Sequence, residues 1–127
     1  MFAITSQGHP YARFKRALQS RNATLATAAA QELEEVALDD ALRLVLLYRD
    51  ARDWRYERAA LRWHLLLLTE APALGLQGAR VSAQALIAIG GRHVERGVEA
   101  LSELLERARA RRALAALDEW IELLSLR

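Results

Sequence analysis

The chain of 127 residues contains no cysteine. A disulfide framework and thiolate metal sites are therefore excluded. Proline occurs only at Pro10 and Pro72, so little interrupts a helical backbone. β-Branched residues are sparse and never alternate with polar ones over the length of a strand. The longest leucine run, Leu65 to Leu68, is far too short to span a bilayer. The opening "MFAITSQGHPYARFKR" has no basic start followed by an apolar core, so it does not read as a secretory signal. These absences predict a cytoplasmic protein without a membrane segment. Charge of one sign is missing too: 18 basic and 16 acidic residues leave a net charge of +2. Every basic residue except Lys15 is arginine. The excess of arginine, alanine and leucine is what a GC-rich coding bias produces, and that weighs against reading the arginines at once as a nucleic-acid surface.

What is present favours helix. Alanine, leucine, arginine and glutamate dominate, and all have high helix propensity. A chain of this length buries roughly two-thirds of its unfolded surface and needs no disulfide or metal to hold it. Apolar periodicity predicts an all-α domain of about seven short helices. Helix one is expected over residues 10–21, with Pro10 at its first position and residues 1–9 as a loose segment. Helix two covers 24–35, with Leu25, Ala28, Ala29, Leu33 and Val36 inward. Helix three begins near Asp39 and Asp40, whose charges suit a helix N-terminus. Helix four runs between Asp53 as N-cap and Pro72 as exit. Its Tyr56, Ala59, Ala60, Trp63, Leu66 and Leu67 share one face, and Leu61, Leu65 and Leu68 form a second apolar side. So broad an apolar girth predicts a central helix with neighbours on two sides. Helices five, six and seven are expected over 77–89, 92–108 and 109–126. Gly97 inside helix six costs about 1 kcal/mol against alanine and is read as room for a close crossing. Short connections predict antiparallel neighbours within one domain, residues 1–127.

Helix four resembles the second helix of a tetratricopeptide repeat. Tyr56, Ala59, Trp63, Leu66 and Pro72 follow that family's order of an aromatic, small residues, a large apolar residue and a closing proline. The likeness covers about one helix, and no second copy recurs at the family's period. It implies a stack of α-hairpins, short and superhelical, of a kind that binds other proteins; a compact bundle is the alternative. The phrase "RYERAALRWH" is similar to small proteins of high-GC bacteria.

The candidate sites are few. Arg49, Arg52, Arg55, Arg58 and Arg62 form an arginine ladder, with Arg55, Arg58 and Arg62 on one face of helix four. Phosphates or an acidic partner would suit it, although Asp50, Asp53 and Glu57 interleave and blunt the field. Trp54 stands at the helix start and is the better of two tryptophans for contact, because Trp63 lies in the apolar face. His64 has no histidine or carboxylate one turn away, and His9 and His93 lack metal-ligand spacing. Gly90–His93, "GGRH", is first of all a helix stop and turn. The pairs Glu34–Glu35, Asp39–Asp40 and Asp118–Glu119 point about 100° apart within a helix. No nucleophile motif is present. The reading is therefore no enzyme, cofactor or metal. The expected function is a helical protein-interaction module, binding a protein partner or itself as a homodimer, with Arg55, Arg58, Arg62 and Trp54 as candidate surface. The alternative is an arginine-dependent nucleic-acid-binding or regulatory protein.

Overall fold

The computed structural model describes the backbone of residues 2–125 and the side chains of residues 10–125. Among the described residues there are seven α-helices and no strand: α1 (Phe2–Gln19), α2 (Ala23–Gln31), α3 (Leu38–Asp50), α4 (Tyr56–Glu70), α5 (Gly75–Gly90), α6 (Val94–Arg107) and α7 (Arg111–Ser125). The all-α expectation holds. No described helix is long and apolar enough to cross a membrane. By backbone contacts the chain divides into two compact units, Met1–Ala37 and Leu38–Arg127.

The first unit is the α1/α2 hairpin. α1 runs through Pro10, although an interior proline loses a backbone donor and its ring crowds the carbonyl four residues back. Residues 2–9, expected as a loose segment, are therefore helical. Asn22 caps α2, its side chain accepting from the Leu25 N–H at 2.9 Å. α2 stops at Gln31, short of the expected residue 35. Continuing would have set Glu34 and Glu35 beside the negative end of the helix dipole. Among the described residues, Phe14, Ala17, Ala26 and Ala29 are the buried apolar residues of this unit.

The second unit is a ring of five helices. α3 packs on α4, α4 on α5, α5 on α6, α6 on α7, and α7 returns to α3. In a solenoid each repeat touches only its sequence neighbours; contact between the first and last helices instead closes a bundle. The core is drawn from one face of each helix and includes Leu42, Val45, Trp63, Leu67, Ile89, Leu101, Leu105, Leu117 and Trp120. α4 has neighbours on two sides, as expected, but its second apolar side does not pack throughout. Leu61 and Leu65 are more than half exposed. Asp53 is not the N-cap of α4; Arg55 occupies that place. Asp53 instead accepts the Arg55 N–H at 2.9 Å, forming the turn that precedes the helix. Pro72 opens a short 3₁₀ turn, Pro72–Leu74, and Gly75 leaves it at φ 64°, a conformation that suits glycine.

Two local devices set how closely these helices meet. At Gly97 a Cβ would lie 2.7 Å from the Ala85 carbonyl oxygen and 2.9 Å from Ile89 Cγ1. The α5/α6 crossing thus needs glycine there, as the sequence reading anticipated. Three helices end on an arginine in the left-handed region: Arg21 (φ 60°), Arg52 (φ 52°) and Arg109 (φ 57°). In each, the next residue's N–H reaches back five positions, as Asp53 N–H does to the Tyr48 carbonyl at 2.9 Å. This is the Schellman closure, in which glycine normally takes the left-handed place.

Two outcomes follow for chemical denaturation and thermal melting. Gly97→Ala lowers stability by about 1–2 kcal/mol, since overpacking against a backbone carbonyl outweighs the ~1 kcal/mol that helix propensity would return. A neutral or raised midpoint would show that α5 and α6 separate freely. Arg52→Gly raises stability by roughly 0.5–1 kcal/mol through relief of the left-handed strain, and an unchanged melting temperature would count against that strain.

Candidate functional site

Several polar side chains of the second unit fasten its helices to one another. Arg49 and Asp50, at the end of α3, form one such cluster. The Arg49 Nε–H donates to the Ile89 carbonyl at 3.1 Å, an oxygen in the last turn of α5 that lacks an intrahelical partner. Its guanidinium lies 5.5 Å from the Trp120 ring centre. Trp120 Nε1–H donates to Asp50 Oδ2 at 2.9 Å. One dipeptide thereby holds α3, α5 and α7 together. The sequence reading had placed Arg49 in a solvent ladder with Asp50 interleaved; both instead belong to the interior seam.

Arg43 makes the second cluster. It binds Asp39 at 2.8 Å, Asp40 at 3.0 Å and Glu119 at 3.3 Å. Burial works to lower the Arg43 pKa, but hydrogen bonds and charge from Glu119 and Asp39 outweigh it and hold the value above the ordinary one. The Asp39–Asp40 pair and Glu119, one member of another pair, thus meet on one arginine. Adjacent acids diverge on their own helix, so only the tertiary partner brings Asp39, Asp40 and Glu119 together. Three carboxylates share one guanidinium, which ties α3 to α7.

His64 Nδ1 lies 2.8 Å from Ser82 Oγ. Ser82 is fully buried, so its hydroxyl is out of reach of a substrate, and the pair serves to join α4 to α5. Tyr56 joins the same helices: its hydroxyl donates to the Leu86 carbonyl, and its ring lies over Gly90, where a Cβ would come within 2.6 Å of Tyr56 Cε2. Burial raises the Tyr56 pKa to about 12, against an opposing effect of Arg49. His93 is exposed at the start of α6, and the His9 side chain lies outside the described residues. Among the described residues no group of three or more histidines and acids could hold a metal ion.

The expected surface residues divide. Arg55 is not part of an open row. It pairs with Asp53 at 3.6 Å, and its guanidinium sits 5.7 Å from the Tyr48 ring centre and 5.5 Å from that of Trp54. Arg58 and Arg62 are exposed on α4. Trp54 is 78% exposed, and Trp63 is buried with its Nε1–H donating to the Leu38 carbonyl at 3.0 Å.

What the sequence reading missed lies beside Arg58 and Arg62. Tyr56 reaching residue 86, and His64 reaching residue 82, show that α4 and α5 run antiparallel. With about 100° between successive residues, Leu61 and Leu65 stand outward of His64, on the side toward α5. Leu76, Ala83 and Ile87 stand outward on α5, on the side toward α4. Leu76 is 92% exposed, Ile87 75%, Leu61 58% and Leu65 56%. The half-buried Leu68 and Ala83 lie between them. These residues form one apolar face over the α4/α5 seam. The surplus leucines of α4 carry this signal in the sequence, where periodicity reads them as a second buried side; in the structure Leu61 and Leu65 are exposed.

Comparison of the chain with protein-family models, with curated proteins and with solved structures finds no match in any of the three.

Two measurements probe the fastening groups. Asp50→Ala leaves the Trp120 N–H without its acceptor and the Arg49 guanidinium without its neighbouring carboxylate, so the denaturation midpoint should fall by the equivalent of about 3 kcal/mol; a loss below about 1 kcal/mol would mean the cluster behaves as exposed surface. For Tyr56 the folded-state pKa lies above the unfolded one. Its contribution is fully present below about pH 10 and is lost as pH rises toward about 12. The slope is at most about 1 kcal/mol per pH unit once solvent screening of a half-buried phenol is allowed for. Tyr56→Phe should flatten this alkaline limb, and an unaltered limb would refute the assignment.

Proposed function

We propose that the chain is a helical protein-interaction module whose working surface is the outer α4/α5 face. The observation that supports this is the grouping of Leu61, Leu65, Leu76 and Ile87 on one seam. Single exposed apolar residues are ordinary on protein surfaces. A contiguous set marks a place where another surface is expected. The polar groups beneath it, His64, Ser82 and Tyr56, are engaged in fastening helices, which makes the face rigid. A rigid face loses little conformational entropy when a partner docks.

A photo-crosslinking residue at Leu65 or Ile87, in cells expressing the protein, should give discrete protein adducts. The same residue at exposed Glu99 on α6 should not. Identical adduct patterns from both faces would sink the reading. Light scattering after size exclusion, on wild type and on Leu65→Glu/Ile87→Glu, then separates self-association from binding an unlike partner. A dimer that becomes monomeric in the variant means the face binds a second copy.

A second reading draws on Trp54. Its exposed ring, with Arg55 beside it, is the pairing that single-stranded nucleic acid uses for stacking and charge. Quenching of tryptophan fluorescence by an oligonucleotide at low salt, lost in Trp54→Phe, would favour it. No quenching would remove it.

A further inference from the structure

Resting on the reading of the α4/α5 face as an interaction surface, we propose that its occupant is an amphipathic helix with acidic flanks, supplied by a different protein. The shape is the first argument. α4 and α5 run antiparallel, and their outward rows border a seam. Leu61 and Leu65 form one bank, Leu76 and Ile87 the other, and the small Ala83 lies between. The side-chain ridges of a third helix can pack along such a seam. Leu76 and Ile87 are eleven positions apart along α5, about 16 Å at helical rise, which sets the occupant at three turns or more.

The charges are the second argument. Arg58 and Arg62 run along α4 beside Leu61 and Leu65, and Arg80 lies on α5 between Leu76 and Ile87. All three are exposed. Among the described residues none of them is held in an ion pair. They are the arginines of α4 and α5 left without an acid, as Arg92, Arg96, Arg107, Arg109, Arg111 and Arg112 are on and beside α6 and α7, whereas Arg43, Arg49 and Arg55 are committed to carboxylates within the unit. The exposed acids of α4 are Glu57 and Glu70, near its two ends. The middle of the face is therefore apolar with a cationic border, and acidic flanks on the incoming helix complement it. A second copy docked by a two-fold axis would set the same patch against itself. Arginine rows would then meet arginine rows, and like charges facing each other disfavour that pairing.

The test uses the whole protein and two fluorescent peptides of about 18 residues, long enough to span the seam. Both carry the same leucine stripe at helical spacing. One is flanked by glutamates and the other by lysines. Fluorescence anisotropy is read at low and high salt, and circular dichroism checks that each protein variant is folded. The glutamate peptide should bind wild type at least about tenfold more tightly than the lysine peptide, with the difference shrinking in salt. Leu65→Glu/Ile87→Glu should abolish tight binding of the glutamate peptide. Arg58→Glu/Arg62→Glu/Arg80→Glu should reverse the preference, and the milder Arg58→Gln/Arg62→Gln/Arg80→Gln should erase it. No binding of the glutamate peptide, or a preference that survives loss of the arginines, overturns the proposal. Equal binding of both peptides, lost in Leu65→Glu/Ile87→Glu, also overturns it but leaves the interaction face standing. A wild-type dimer that dissociates in that variant gives the face to a second copy. Sedimentation with anionic vesicles that displaces the glutamate peptide gives it to a lipid surface. Either result overturns the acidic helix.

Discussion

The second unit closes on Arg49 and Asp50. A ring of five helices with short connections has no covalent tie between its ends, so the return of α7 to α3 must be held by side chains. Asp50 accepts from Trp120 on α7, and Arg49 stacks on the same indole while donating to the last turn of α5. The dipeptide sits where α3 ends, so its backbone is already fixed by the helix and by the Schellman closure at Arg52 and Asp53. Three helices thereby take their axial position from one helix terminus. The leucines around it supply most of the favourable burial, but burial is non-directional and would tolerate a slid or rotated α7. The polar contacts, each with a direction and a distance, select one register.

Small residues do the complementary work of setting separations. Gly97 lets α6 lie against the backbone of α5, and Gly90 gives the Tyr56 ring room over the end of α5. Tyr56 then spends its hydroxyl on the Leu86 carbonyl, and His64 spends a ring nitrogen on Ser82 one helix-length away. Along the α4/α5 seam every polar group beneath the surface is matched; indeed no buried side-chain nitrogen or oxygen among the described residues lacks a partner. The seam can therefore carry exposed leucine and isoleucine on its outside without depending on them for its own order.

Helix existence and helix faces were legible in the sequence because they follow from propensity and from a period near 3.6. Trp63, Leu67, Leu101, Leu104 and Leu117 fell inward as the periodicity indicated. Helix ends were less legible. Asp53 has the composition of an N-cap, yet it closes the turn before α4, and α2 stopped where acids met a negative helix end. The largest misreading concerned charge and girth together. Arg49, Arg52, Arg55, Arg58 and Arg62 look alike in a row, but Arg49 is taken by Ile89 and Asp50, Arg52 closes a helix, and Arg55 is covered by Tyr48 and Trp54. Periodicity cannot see such partners, because each arrives from a distant part of the chain or from outside the helix. It also cannot tell a leucine that meets a neighbouring helix from one that meets water. α4 shows both kinds, with Leu67 fully buried and Leu65 open.

That sorting of arginines bears on function. In a chain where nearly all positive charge is arginine, the residue type carries no information by itself, since coding bias supplies it everywhere. Information resides in which arginines the fold leaves unneutralised. Arg43, Arg49 and Arg55 cancel acids within the second unit and contribute little field at the surface. Arg58, Arg62 and Arg80 are the arginines of α4 and α5 that no acid among the described residues neutralises, and they border the same seam on which four large apolar side chains are exposed. A solvated helix face would show charge without leucine, and a buried one leucine without charge. An apolar centre with a charged, hydrated margin is what the proposed interaction surface calls for. In that proposal the margin selects which partners approach and the centre sets how long they stay.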